Sequence, residues 1–240
     1  MPARTALVTG ASSGIGLAIA RVLADEGHAL TLAARRPDRL EAAAQELRDA
    51  GAEVDTVAAD VADEDDVRRL VAAHADRHGR LDVLVNSAGV GIATPIAEAP
   101  TKRVDLQLAV NLRAVILLYR ECAALLRAAG AEHRSALVVN LASVAGKRGQ
   151  ALLSTYSATK AGLVGFTQAM NQELIADGVR SVALCPAYVD TPMSDYIKGE
   201  IPAEQMITTA DVAEAVRFLL RLSPGCLVPE IVFERPGQRI

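Results

Sequence analysis

Tyr156 and Lys160 stand four residues apart in a segment with helical spacing, so their side chains share one helix face. A tyrosine with its usual pKa near ~10 exchanges protons poorly at neutral pH. A lysine ammonium about 4 Å away, at an effective dielectric near 20, is worth roughly 4 kcal/mol. At about 1.4 kcal/mol per unit, that lowers the tyrosine pKa by up to ~3 units. The pair therefore suits proton transfer to or from an alcohol or carbonyl oxygen. Taken alone it is also an ordinary surface pairing, so its meaning depends on what the rest of the chain places beside it.

A second chemical signal is Thr9-Gly10-x-x-x-Gly14-x-Gly16, with Ser12 and Ser13 inside it. Glycines let the backbone turn tightly and approach a pyrophosphate. A helix opening at the end of such a turn offers unpaired N–H groups and a partial positive charge. The spacing departs from Gly-x-Gly-x-x-Gly. Its strand–loop–helix context nevertheless reads as a dinucleotide phosphate loop rather than a simple tight turn. The third signal is Ala33-Ala34-Arg35-Arg36. An acid commonly binds the ribose 2′-hydroxyl at this place in NAD sites. None is present, and the two guanidiniums suit a 2′-phosphate. NADP(H) is favoured over NAD(H).

The elements that must carry these residues follow from periodicity. Apolar runs at 4–9, 29–34, 53–59, 81–85, 137–141, 180–184 and 230–233 read as strands. Helical spacing appears from Ile15 to Gly27, from Pro37 to about Gly51 and over about 64–78. Long helices are expected over roughly 101–129 and 154–177. Alternating strands and helices imply α/β architecture, a doubly wound, Rossmann-like parallel sheet of about seven strands in three α/β/α layers. Ligands then sit beyond the carboxyl ends of the strands.

Composition narrows the reading further. The 240 residues carry 25 Lys+Arg and 29 Asp+Glu, a net charge of −4, which argues against a nucleic-acid binder. No apolar run is long enough to span a membrane, and residues 1–10 do not read as a signal peptide. Three scattered cysteines suit reduced thiols in a cytoplasmic protein and give no metal-ligand spacing. No repeat or linker divides the chain, so residues 1–240 are read as a single domain.

Thr-Gly-x-x-x-Gly-x-Gly, Asn86-Ser87-Ala88-Gly89, Asn111, Ser143 and Tyr156-x-x-x-Lys160 occur in that order. This set strongly resembles the short-chain dehydrogenase/reductase family, in its single-domain NAD(P)-dependent branch. The likeness runs from about Arg4 to Thr191 and more loosely beyond. It implies that Tyr156 is the general acid–base and that Ser143 hydrogen-bonds the same substrate oxygen. Lys160 would lower the tyrosine pKa and hold the nicotinamide ribose. Asn111 would hold a water in a proton relay behind Lys160. The cofactor would lie on Gly10, Ser12, Ser13, Gly14, Ile15 and Gly16, with its adenine edge at Asp60 and Val61. Asn86, Ala88 and Gly89 would line it and support the sheet. Pro186, Val189 and Thr191 would hold the carboxamide end. The resemblance also implies a homodimer or homotetramer.

Three features depart from the family pattern. Ser87 replaces a commoner asparagine, Ala187 replaces a glycine, and the tail after Leu227 lacks a glycine-rich ending. The last of these bears on subunit contacts through the final strand. The segment 192–210 is expected to form the substrate loop, with Met193, Tyr196, Ile197, Ile201, Pro202 and Met206. Val90, Ile92, Val144, Leu152 and Leu153 would complete a pocket for a largely apolar substrate. Lys147 and Arg148 suit either an anionic group or a solvated turn, and the turn is the favoured reading. His28, His74, His78 and His133 read as surface or packing residues, and Cys185 as core. The function indicated is interconversion of a carbonyl and a secondary alcohol. The competing reading is a non-catalytic NADP-binding sensor, which has no chemical need for Asn111, Ser143, Tyr156 and Lys160 together.

Overall fold

A computed structural model describes residues 4–236. Its strands are β1 (Thr5–Thr9), β2 (Ala29–Ala34), β3 (Val54–Ala58), β4 (Val83–Asn86), β5 (Ala136–Leu141), β6 (Val179–Pro186) and β7 (Glu230–Phe233). They form one sheet in the order β3-β2-β1-β4-β5-β6-β7, and every neighbouring pair is parallel. The helices are α1 (Gly14–Asp25), α2 (Pro37–Asp49), α3 (Glu64–His78), α4 (Thr101–Leu108), α5 (Ala114–His133), α6 (Ser154–Leu174) and α7 (Thr209–Leu220).

Strand side chains alternate between two cores, as a pleated strand requires. Leu7 faces one core with Leu84, Val138, Leu70 and Leu163, while Ala6 and Val8 face the other with Ile19, Leu32 and Val216. β1 and β6 are buried at every position, as central strands of a sheet covered on both faces must be. The chain leaves β1 toward β2 and β3, then crosses back to β4. The crevice between the carboxyl ends of β1 and β4 is therefore the switch point at which such sheets bind ligands.

Two elements differ from the sequence expectation. The helix expected over 101–129 is interrupted by a π turn, Ala109–Arg113, and its second part runs on to His133. A π turn inserts one residue into the helix and redirects its side chains; here it turns Asn111 inward. The segment 192–210 is not all loop. Short 3-10 turns at Pro192–Ile197 and Ala203–Gln205 lead into α7, which begins at Thr209. Thr208 and Asp211 form a reciprocal capping box there, a signal present in the sequence.

The base of the sheet holds a buried histidine. His74 Nε2 donates to the Arg80 carbonyl at 2.9 Å, and in the neutral ring Nδ1 accepts from the Thr31 hydroxyl at 2.8 Å. Burial pushes the His74 pKa down to about 4. Between that value and the ~6.5 of an unfolded histidine, the unfolded chain binds a proton that the native state refuses. His74 thus costs nothing above about pH 6.5, and falling pH removes about 3 kcal/mol of stability across the window. Urea midpoints of the wild type and His74→Gln between pH 7.5 and 4.5 check this. The wild type is expected to lose more, and parallel curves would remove His74 from the acid response.

Candidate active site

Three glycines shape the turn after β1, each for its own reason. Gly10 has φ +66, and a Cβ there would lie 2.8 Å from Ala88 N, so only glycine lets this turn meet the loop after β4. Gly14 has φ +59 and faces Thr191 across the crevice. A Cβ on Gly16 would lie 2.4 Å from the Gly10 carbonyl oxygen. Thr9 locks the arrangement. Its hydroxyl donates to the Val85 carbonyl at 3.2 Å and accepts from Ser87 N at 3.2 Å.

The crevice opens into a cleft of about 940 Å³. Gly10, Ser12, Ser13, Gly14 and Ile15 line it, as do Arg35, Arg36, Asp60 and Val61. Ala88, Gly89, Ser143, Tyr156, Lys160, Pro186, Val189 and Thr191 complete the set of sequence-predicted residues found on its wall. Residues from the ends of β1, β2, β3, β4, β5 and β6 thus converge on one space.

Three of the expected site residues do not reach that wall. Gly16 lies behind the turn, where it leaves room for the Gly10 carbonyl. Asn86 is buried, and its Nδ2 donates to Asn140 Oδ1 at 2.8 Å. Asn140 in turn donates to Tyr119 Oη at 2.8 Å and Thr167 Oγ1 at 2.9 Å. Asn86 therefore supports the sheet through an amide network instead of lining the cleft. Asn111 is also buried. Its Oδ1 accepts from Val90 N at 2.8 Å, while its Nδ2 donates to the Val90 carbonyl at 2.8 Å and to Thr159 Oγ1 at 3.2 Å. The side-chain amide ties the π turn to the loop after β4.

Tyr156 and Lys160 share one face of α6 as their spacing predicts. Lys160 Nζ sits 5.6 Å from the Tyr156 ring centroid and donates to the Leu141 carbonyl at 2.5 Å. The electrostatics differ from the sequence expectation. Burial raises the Tyr156 pKa above its usual value, opposed by the neighbouring Ser143 hydroxyl. Burial also lowers Lys160 to about 8. Desolvation of both groups outweighs the attraction that an exposed pair would show. Ser143 accepts from Ala145 N at 3.1 Å, which holds it at the end of β5.

The strap 186–191 is fixed by backbone bonds. Ala187 N donates to the Phe233 carbonyl at 2.9 Å, and Asp190 N and the Tyr188 carbonyl both pair with Ile207. Val90, Ile92, Val144, Leu153, Met193 and Tyr196 line the cleft as expected. Leu152 is 56% exposed and, like Ile197, Ile201, Pro202 and Met206, is not on the wall. Lys147 is not simply solvated, because it pairs with Glu230 at 2.9 Å.

The residues present fit a dinucleotide on structural grounds. Ser13 caps α1 without a side-chain bond, which leaves first-turn N–H groups facing the cleft. Arg35 and Arg36 are exposed on the wall, and no carboxylate among the described residues pairs with them.

Residues 4–201 match the family model for short chain dehydrogenases. The chain belongs to the short-chain dehydrogenase/reductase family. It is 42% identical over 196 residues to the proposed ketoacyl reductase of the monensin polyketide synthase of Streptomyces virginiae, an overlap of 81% of this chain and 74% of that one. An actinorhodin polyketide ketoreductase variant, solved with NADPH, is 34% identical with a TM-score of 0.87, covering 97% of both chains. A 3-ketoacyl-(acyl-carrier-protein) reductase from Brucella melitensis, solved with NADH, is 30% identical with a TM-score of 0.84, covering 96% of this chain and 97% of that one. The chain is thus a short-chain oxidoreductase of the class acting on CH–OH and C=O groups.

Within that family frame, several site residues carry no signal in the catalytic motifs. Gln107 accepts from Ile92 N at 3.2 Å and so fixes the loop that walls the cleft. Asn140 and Thr159 serve the amide networks behind the site. The available signal for Asn140 is its place as the lone polar residue in an apolar strand. Ser87, the departure from the family pattern, lines the cleft and directs its hydroxyl toward Gly16.

Proposed function

We propose that this chain is an NADP(H)-dependent reductase that interconverts a carbonyl and a secondary alcohol, with Tyr156 moving the proton. The observation that carries this reading is the shared cleft. Its one end holds Ser143, Tyr156 and Lys160, and its other holds the glycine turn with Arg35 and Arg36. NADP(H), when bound, supplies or accepts the hydride. The glycine turn and the α1 N-terminus hold its pyrophosphate, and Arg35 and Arg36 its 2′-phosphate. Asp60 and Val61 meet the adenine, while Ala88, Gly89, Pro186, Val189 and Thr191 orient the nicotinamide end. Ser143 donates to the substrate oxygen. Burial keeps Tyr156 protonated at neutral pH, which is the state required to give a proton to that oxygen. Lys160 carries its charge below about pH 8 and stabilises the tyrosinate left behind. Asn111 positions the loop that faces them. A small, largely apolar carbonyl compound is the substrate.

Reduction is accordingly the favoured direction near pH 7. Its kcat/KM is expected to stay level from pH 6 to 7.5 and to fall above about pH 8, as Lys160 loses its proton. A profile level through pH 9 would show that the lysine charge is not used.

NADPH oxidation against aliphatic, aromatic, steroid, sugar and acyl-thioester carbonyls tests the activity. Turnover of any class supports the reductase. NADPH binding with silence across the panel would favour the sensor. The three cysteines are unpaired, which supports a cytoplasmic, reducing compartment. Among the described residues, no helix is long and apolar enough to cross a membrane. The exposed Leu108 and Ile116 near the π turn support a homodimer or homotetramer of these single-domain chains.

A further inference from the structure

We infer that the substrate end of the cleft accepts an uncharged ketone and excludes one bearing a carboxylate beside the reacting carbonyl. This rests on the reductase reading and adds a charge rule to it. Among the described residues, the cations on the cleft wall are Arg35, Arg36 and Lys160. The two arginines lie beyond β2, at the far end from Tyr156. Lys160 is buried and spends a donor on the Leu141 carbonyl.

The remaining wall near Tyr156 is neutral. Val90, Ile92, Leu153 and Met193 are apolar, and Gln150 and Tyr196 offer uncharged polar groups. Both lysines that flank this end in the chain are paired with carboxylates. Lys147 pairs with Glu230 at 2.9 Å. Lys198 pairs with Asp190 at 2.9 Å and with Asp195 at 2.8 Å, which leaves one carboxylate in excess in this cluster. Arg148 and Arg235 are not on the wall, and Arg235 donates to the Gln205 carbonyl. A carboxylate carried in next to the ketone would lose its water and gain no charged partner, a costly transfer. An ester or thioester at the same place loses far less.

Methyl 3-oxohexanoate and 3-oxohexanoate differ in this charge. The wild type with NADPH is expected to favour the ester by about 100-fold in kcat/KM, the size of leaving a desolvated charge unpaired. Met193→Arg places a cation on the wall and is expected to narrow that preference at least about tenfold. Equal or faster reduction of the acid by the wild type overturns the exclusion. An unchanged preference in Met193→Arg overturns its assignment to this wall. If the wild type reduces neither compound, the wider carbonyl panel decides the reductase reading. The exclusion is then read by calorimetry on the NADPH-loaded protein. Tighter binding of the ester supports it, and equal binding overturns it.

Discussion

Tyr156→Phe is expected to lower turnover about 10³-fold, within the range that a positioned proton donor supplies, while NADPH binding stays unchanged. The substitution isolates the hydroxyl. The ring of Tyr156 lies against Gly91, with its Cε2 3.7 Å from where a Cβ on that residue would stand, and phenylalanine fills the same space. Lys160 keeps its bond to the Leu141 carbonyl, because that contact does not involve the tyrosine. The glycine turn and the Arg35–Arg36 corner belong to other elements, so cofactor affinity has no cause to fall. Two measurements check the split. Steady-state NADPH oxidation reads the chemical step, and NADPH fluorescence titration reads binding. Turnover retained above a tenth of wild type would remove Tyr156 from proton transfer. Loss of both together would mark it as a structural residue of the cleft.

The second large effect is expected at the phosphate-recognition corner. Arg35→Asp should move the ratio of NADPH to NADH efficiency toward NADH by about 10²-fold. A charge-assisted hydrogen bond is worth about 1.5–3 kcal/mol, and each 1.4 kcal/mol is tenfold. The aspartate also repels a 2′-phosphate and offers an acceptor to a 2′-hydroxyl, so both cofactors shift in opposite senses. Arg35 is exposed, and salt will moderate the change. Position 35 is a cleaner test than 36. Arg36 is the N-cap residue of α2, where an aspartate would also stabilise the helix. Kinetics with each cofactor at one ionic strength give the ratio. An unmoved ratio would place phosphate selection elsewhere.

Much of this site is legible without coordinates because its signals are local. The phosphate loop depends on glycines within seven residues, and Gly10, Gly14 and Gly16 are required by turn geometry and close backbone contact. Tyr156 and Lys160 face one way because helix pitch places residues four apart on one side. The five inner strands stand out in the sequence because a parallel sheet is buried on both faces, whereas the edge strands β3 and β7 are only partly buried. Helix α7 is the exception: its capping box is equally local, but the loop expected over 192–210 covers Thr208, which opens it.

Local pattern therefore determined the strands, the phosphate turn and the pairing of tyrosine with lysine. Tertiary structure decided what depends on distant partners. Asn86 meets Asn140 across 54 positions, Asn111 reaches back 21 positions to Val90, and Lys147 meets Glu230 across 83. No spacing rule encodes such contacts, because chain folding brings them together and side-chain geometry selects them. The same holds for the sign of the Tyr156 shift. Spacing announces a lysine nearby and predicts a lowered pKa. The surrounding protein removes water from both groups, and that desolvation governs the shift.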